Sequence, residues 1–267
     1  MESLDLQIQF DDESKETAEV YVEGEIQGDA CLFLLDTGCA RTSLNFDEFS
    51  SQFEKIGTEE SSGIFGRTQY DLINVDSIQF GGIVKHGAIL SRAKKGEFDR
   101  KLLGMDILKD YCLHFSFDTR KVEVNPQLPV KKLTTQELIM DKSSIPHIKF
   151  KFGESDILAV WDTGASITLV DIHLIETNQG MFEKVGNELG TDSTGSKMET
   201  PIYIMRPFFL GDQEFPAHKI VGVNLSKINN KIEIPLGFVF GFSTLNKARW
   251  LFDFPQKKWA ILEMISI

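Results

Sequence analysis

Cys31-Leu32-Phe33-Leu34-Leu35-Asp36-Thr37-Gly38 and Ile157-Leu158-Ala159-Val160-Trp161-Asp162-Thr163-Gly164 read as two copies of one segment, an apolar run that ends in Asp-Thr-Gly. The triplets stand 126 positions apart. Further along, Leu102-Leu103-Gly104-Met105-Asp106 parallels Val239-Phe240-Gly241-Phe242-Ser243, and His114-Phe115-Ser116-Phe117-Asp118 parallels Leu251-Phe252-Asp253-Phe254-Pro255, both at an offset of 137. The second copy is therefore 11 residues longer between its aspartate and its glycine. Self-similarity on this scale means that one structural unit occurs twice. The chain is expected to be a duplicated domain with loops of unequal length.

Over most of residues 18–125 and 145–263 the chain resembles the aspartic peptidases, the pepsin and retropepsin group. In that family each lobe contributes an Asp-Thr-Gly, a mobile flap hairpin, and a later pair of hydrophobic residues before a glycine. The resemblance implies a mostly β, bilobal aspartic-protease fold, double-psi β-barrel-like, with two duplicated lobes and few short helices. The N-terminal lobe would span 1–125, an interlobe linker 126–144 and the C-terminal lobe 145–267. By the same resemblance Asp36 and Asp162 are the catalytic pair, supported by Thr37, Gly38, Thr163 and Gly164. The threonines would hydrogen-bond across the lobes. One flap falls at Ser61-Ser62-Gly63-Ile64-Phe65-Gly66, with Gly63, Ile64, Phe65 and Gly66 over the substrate. A second falls at Gly190 to Ser196, with Thr194 and Gly195 at its tip, although pepsin-like enzymes keep a flap in one lobe only. The chain reads as a fused tandem of two retropepsin-like halves, a monomer that is its own pseudo-dimer.

The chemistry explains the residue types. Hydrolysing an amide without a metal or a covalent intermediate needs one group to take a proton from water and another to give one to the substrate. Two carboxyl groups that share a single proton can do both, because mutual repulsion raises one pKa. The expected activity is aspartic-type endopeptidase, acting on an extended peptide or protein with no cofactor and no metal. The alternative is a catalytically silent module of the same fold that grips a peptide by strand addition.

Other classes are poorly supplied. His86, His114, His147, His173 and His218 are scattered, with no His-Glu-x-x-His spacing for zinc. No glycine-rich phosphate loop is present, and a net charge of −12 without a basic stripe argues against nucleic acid as a partner. No apolar run approaches the roughly 18 residues of a membrane span. Met1-Glu2-Ser3-Leu4-Asp5-Leu6 lacks a basic start and an apolar core, so no membrane partner and a cytoplasmic location are expected. The three cysteines form an odd set without metal spacing, which suits a reducing compartment. Cys31 and Cys112 are expected in the core. Cys39, next to the first triplet, either fills a small-residue site as Ala165 does or bears on activity as a thiol.

The prevailing period is two. Leu4, Leu6, Ile8 and Phe10 alternate, as do Val20 and Val22, and Ile148, Phe150 and Phe152, which marks half-buried strands. Hairpins are expected around Gly24 and Gly28, Gly81-Gly82, Gly153 and Gly211-Asp212. Helix is expected near Asp47 to Lys55 and Asp171 to Glu176, as single turns after Gly104 and Gly241, and as one turn at Gln136 to Met140.

Overall fold

The structure is a computed structural model that describes residues 2–12, 14–62, 66–96, 100–127, 133–191, 196–230 and 235–265. It is mostly β, as the alternating pattern requires. Among the described residues, two large sheets and a small hairpin, Phe208–Leu210 with Gln213–Phe215, account for the strands.

The repeat is visible in the strand order. In the first half the hairpin Ala18–Ile26 and Asp29–Leu35 is followed across the sheet by Leu102–Leu103, Ser43–Leu44, Ile83–Arg92, Arg67–Phe80 and Lys55–Ser62. In the second half Pro146–Phe152 and Ser155–Trp161 are followed by Phe238–Phe240, Thr168–Asp171, His218–Val223, Lys197–Met205 and Phe182–Thr191. The directions match as well. Leu102–Leu103 runs parallel to Asp29–Leu35 and antiparallel to Ser43–Leu44, and Phe238–Phe240 bears the same relation to Ser155–Trp161 and Thr168–Asp171. Each short late strand thus separates the two strands joined by its Asp-Thr-Gly loop, and the loop must arch over it.

The halves are also joined. Ala248–Asp253 pairs antiparallel with Cys112–Ser116, placing Trp250 opposite Phe115, so the last hairpin of the chain and the strands Cys112–Ser116, Lys121–Val124 and Glu2–Phe10 lie in one sheet. Its aromatic face carries the core beneath the second loop: Trp161 lies 4.7 Å from Phe115, 4.3 Å from Phe252 and 5.9 Å from Trp250, ring centre to ring centre. Edge-on and tilted aromatic pairs at these separations add to the gain from burial itself.

Local structure corrects several expectations. Gln136 to Met140 is not helical: Gln136–Glu137 pairs with Lys258–Met264 and Ile139–Met140 pairs with Pro146–Phe152. Gly24 is not a turn residue. It lies inside Ala18–Ile26, where a Cβ would meet the ring of Phe80, and the turn is made by Gln27-Gly28, both at positive φ. The first helix shortens to Glu48–Ser51, capped by Asp47, which accepts from the Ser50 N–H while Ser50 Oγ accepts from the Asp47 N–H. Cys31 and Cys112 are half-buried, not within the core, and Cys31 packs against it. The helix at Ile172–Thr177, the turns Met105–Leu108 and Phe242–Leu245, and the turns at Gly81-Gly82, Gly153 and Gly211-Asp212 fall where the sequence pointed.

Candidate active site

The two Asp-Thr-Gly loops meet. A threonine hydroxyl can donate once and accept twice, and both hydroxyls use that capacity on the opposite loop. Thr37 Oγ1 donates to the Trp161 carbonyl at 2.7 Å and accepts the Thr163 N–H at 3.0 Å. Thr163 Oγ1 donates to the Leu35 carbonyl at 2.7 Å and accepts the Thr37 N–H at 3.1 Å. Both side chains are buried. Four reciprocal bonds therefore fix the register of the loops, and each satisfies a backbone group that would otherwise lie buried without a partner.

The aspartates follow from that register. The carboxyl groups of Asp36 and Asp162 are brought side by side, close enough for each to act on the other's ionisation. Each packs against the glycine of the other loop: a Cβ on Gly38 would stand 2.5 Å from Asp162 Cγ, and one on Gly164 would stand 2.5 Å from Asp36 Oδ1. Neither glycine has positive φ, so close approach, not backbone conformation, requires glycine here. Burial holds the Asp36 carboxyl well above the usual carboxylate range, and the Asp162 charge beside it pushes the same way. Burial also raises Asp162, against the backbone N–H of Gly164, which donates to Oδ1 at 2.8 Å, and those of Gly38 and Ala165. The proton belongs to the pair.

Comparison with models of known protein families and with curated proteins gave no match.

A matching frame supports each loop. The Asp36 N–H donates to the Leu103 carbonyl at 2.9 Å and the Asp162 N–H to the Phe240 carbonyl at 3.0 Å. Gly104 N–H donates to Thr42 Oγ1, and Gly241 N–H to Thr168 Oγ1, both at 3.1 Å. A Cβ on Gly104 would fall 2.9 Å from the Cys39 carbonyl oxygen and one on Gly241 2.7 Å from that of Ala165, which explains the glycine after each hydrophobic pair. Thr42 and Thr168 escaped the sequence reading. The signal was available, since each stands six residues after its aspartate and the copies align there, but a lone Thr beyond a motif carries no chemistry until its partner is known.

The partners differ between halves. Asp106 Oδ1 accepts both the N–H and the hydroxyl of Thr42 at 2.8 Å, whereas Thr168 meets Ser243 and Thr244. Burial raises the Asp106 pKa, and the Thr42 bonds oppose it.

Long hairpins occupy equivalent places in the halves, Lys55–Ser62 with Arg67–Phe80 and Phe182–Thr191 with Lys197–Met205. Of the expected flap residues, Gly63, Ile64, Phe65, Thr194 and Gly195 lie outside the described residues, and Gly66 is half-buried. The first hairpin is tied to the Asp36 loop, because Arg41 Nε lies 3.0 Å from Glu59 Oε2 and Glu59 Oε1 accepts the Ser91 hydroxyl.

The surroundings of Cys39 disfavour its thiolate. Its thiol donates to the Arg41 carbonyl at 3.1 Å, and burial, with the Asp36 charge second, pushes its pKa well above the ordinary value. Among the described residues no cluster of three or more His, Cys, Asp or Glu could hold a metal ion, and no helix is long and apolar enough to cross a membrane.

Proposed function

We propose that the chain is an aspartic-type endopeptidase with the bilobal aspartic-protease fold, and that Asp36 and Asp162 together activate water against a peptide bond. The reading rests on one observation: two carboxyl groups, one from each copy of the repeat, are brought side by side where the loops are locked together, each against the glycine of the other loop. Two carboxyl groups side by side repel each other when both are ionised, so the pair keeps one proton over a range of pH. The ionised member takes a proton from water while the protonated one gives its own to the carbonyl oxygen. The roles then reverse as the amine leaves.

The hairpins supply the rest of the proposal. An extended peptide would lie between them, with Arg41–Glu59 setting the angle of the first. Both halves of the pair belong to one polypeptide, so a single copy suffices. The test is digestion of a diverse peptide library by the wild type, Asp36→Asn and Asp162→Asn. Cleavage is expected from the wild type alone, with each variant as inactive as the double change, because neither can share a proton between carboxylates. Turnover by either folded variant sinks the mechanism. A wild type that binds peptides without cleaving them points instead to a binding module.

A further inference from the structure

Behind the loop of Asp162 a chain of hydroxyls ends on a buried histidine. His218 opens the strand His218–Val223 and is 1% exposed. Its Nδ1 lies 2.8 Å from the Pro216 carbonyl, which can only accept, so Nδ1 carries the hydrogen. In the neutral ring Nε2 is then an acceptor and takes the Thr244 hydroxyl at 2.8 Å. Thr244 Oγ1 in turn accepts from the Thr168 hydroxyl at 2.7 Å, and Thr168 Oγ1 accepts from the Gly241 N–H at 3.1 Å. One tautomer thus sets the direction of every bond. The chain ends between the residues that grip the loop, since Phe240 accepts the Asp162 N–H at 3.0 Å and the Phe242 N–H donates to Ala165 at 2.9 Å. In the first half a carboxylate oxygen of Asp106 fills the same place and needs no tautomer.

We propose that His218 is a positioning residue for the carboxylate pair, its neutral ring orienting the Thr244–Thr168–Gly241 chain that holds the loop of Asp162 against Asp36. This rests on the pair described under the proposed function. A proton on Nε2 would turn the Thr244 hydroxyl toward Thr168, whose own hydrogen would be left with the Gly241 carbonyl at 3.4 Å, a weaker bond. Two charged groups face the ring. Lys247, 4% exposed, opposes protonation, and Glu16, 3.5 Å from the Lys247 ammonium, favours it. Burial outweighs both and holds the histidine pKa down to about 4. The chain therefore keeps its direction at mildly acidic pH.

The test compares wild type with Thr244→Val, which keeps the shape and removes the hydroxyl, and with two histidine variants. Gln at 218 places an amide oxygen where Nε2 stood. Asn keeps a donor for Pro216 but cannot reach Thr244. Carboxyl titrations of the full chain are followed by 13C NMR of labelled aspartate, with Asp36→Asn and Asp162→Asn used for assignment, alongside kcat and KM on cleaved peptides. In Thr244→Val and His218→Asn the lower step of the pair should rise by roughly half a pH unit or more, because a loosened loop withdraws the N–H groups of Gly164 and Ala165 from Asp162. Their kcat should fall about tenfold with KM within about twofold, as expected for misplacement of a reacting group. His218→Gln should titrate as the wild type does. Should Thr244→Val fail to fold, the contrast between Asn and Gln at 218 decides. Folded variants that lose thermal stability while the pair titrates unchanged overturn the proposal. The titration needs no substrate, so a wild type that cleaves nothing defeats the peptidase reading alone.

Discussion

Adding one methyl group to the glycine of either loop should pull the carboxylates apart. A Cβ at position 38 would stand 2.5 Å from Asp162 Cγ, and one at 164 would stand 2.5 Å from Asp36 Oδ1. Carbon atoms in contact keep about 3.5 Å or more, so Gly38→Ala must displace the facing carboxyl by about 1 Å. A misplacement of that size at a reacting group costs on the order of 100-fold in rate. The buried site has no slack to absorb it, and overpacking of this kind costs about 1–3 kcal/mol of stability. Gly38→Ala and Gly164→Ala should therefore each lower kcat about 100-fold. The two should act alike, because the crowding is reciprocal. Gly180→Ala is the control, since its Cβ would meet nothing within 4 Å. The assay is kcat on a cleaved peptide, normalised to sites titrated with a tetrahedral-intermediate mimic, with unfolding followed in parallel. The reasoning is refuted if both loop variants fold and turn over within about threefold of the wild type, a margin set by ordinary core relaxation.

Thr163→Val deletes the bond to the Leu35 carbonyl and strips the Thr37 N–H of its acceptor, so urea unfolding should show a loss of about 2–5 kcal/mol, and a loss under about 1 would mean the loops are held by something else. The activity profile should follow the raised carboxyl pair: kcat/KM is expected to peak at roughly pH 5–6.5, as Cys39 and Ala165 bring no hydroxyl to support the charged form, and a maximum below about pH 4 would contradict this. A carboxyl whose folded pKa lies above its unfolded value of about 3.9 stabilises the fold below that pH and loses the contribution as pH rises through the folded value. Hence Asp36→Asn and Asp162→Asn should match the wild-type Tm near pH 3.5 and exceed it increasingly toward pH 8; a gap that is constant with pH would show that burial is not what shifts the pair.

What could be read from the chain alone was what repeats or alternates. The doubled Asp-Thr-Gly, the glycines at 104 and 241 and the period-two strands are local patterns, each tied to a backbone requirement that a short stretch states by itself. The turns at Gly81-Gly82 and Gly153 were legible for the same reason, since their residues at positive φ are glycines. Only the tertiary structure decided who meets whom. Gln136 to Met140 became strand because Lys258–Met264 and Pro146–Phe152 offered open edges, and a two-residue strand draws its hydrogen bonds from its partner rather than from its own residues. Gly38 faces Asp162 and not Asp36, across 124 positions of chain, and no reading of one loop could show that. Asp106, Ser243, Thr244 and His218 do the same work in the two halves with different groups, so the repeat pattern is silent at those positions. A fold needs an acceptor there, not a particular residue. The choice of acceptor depends on what is buried beside it.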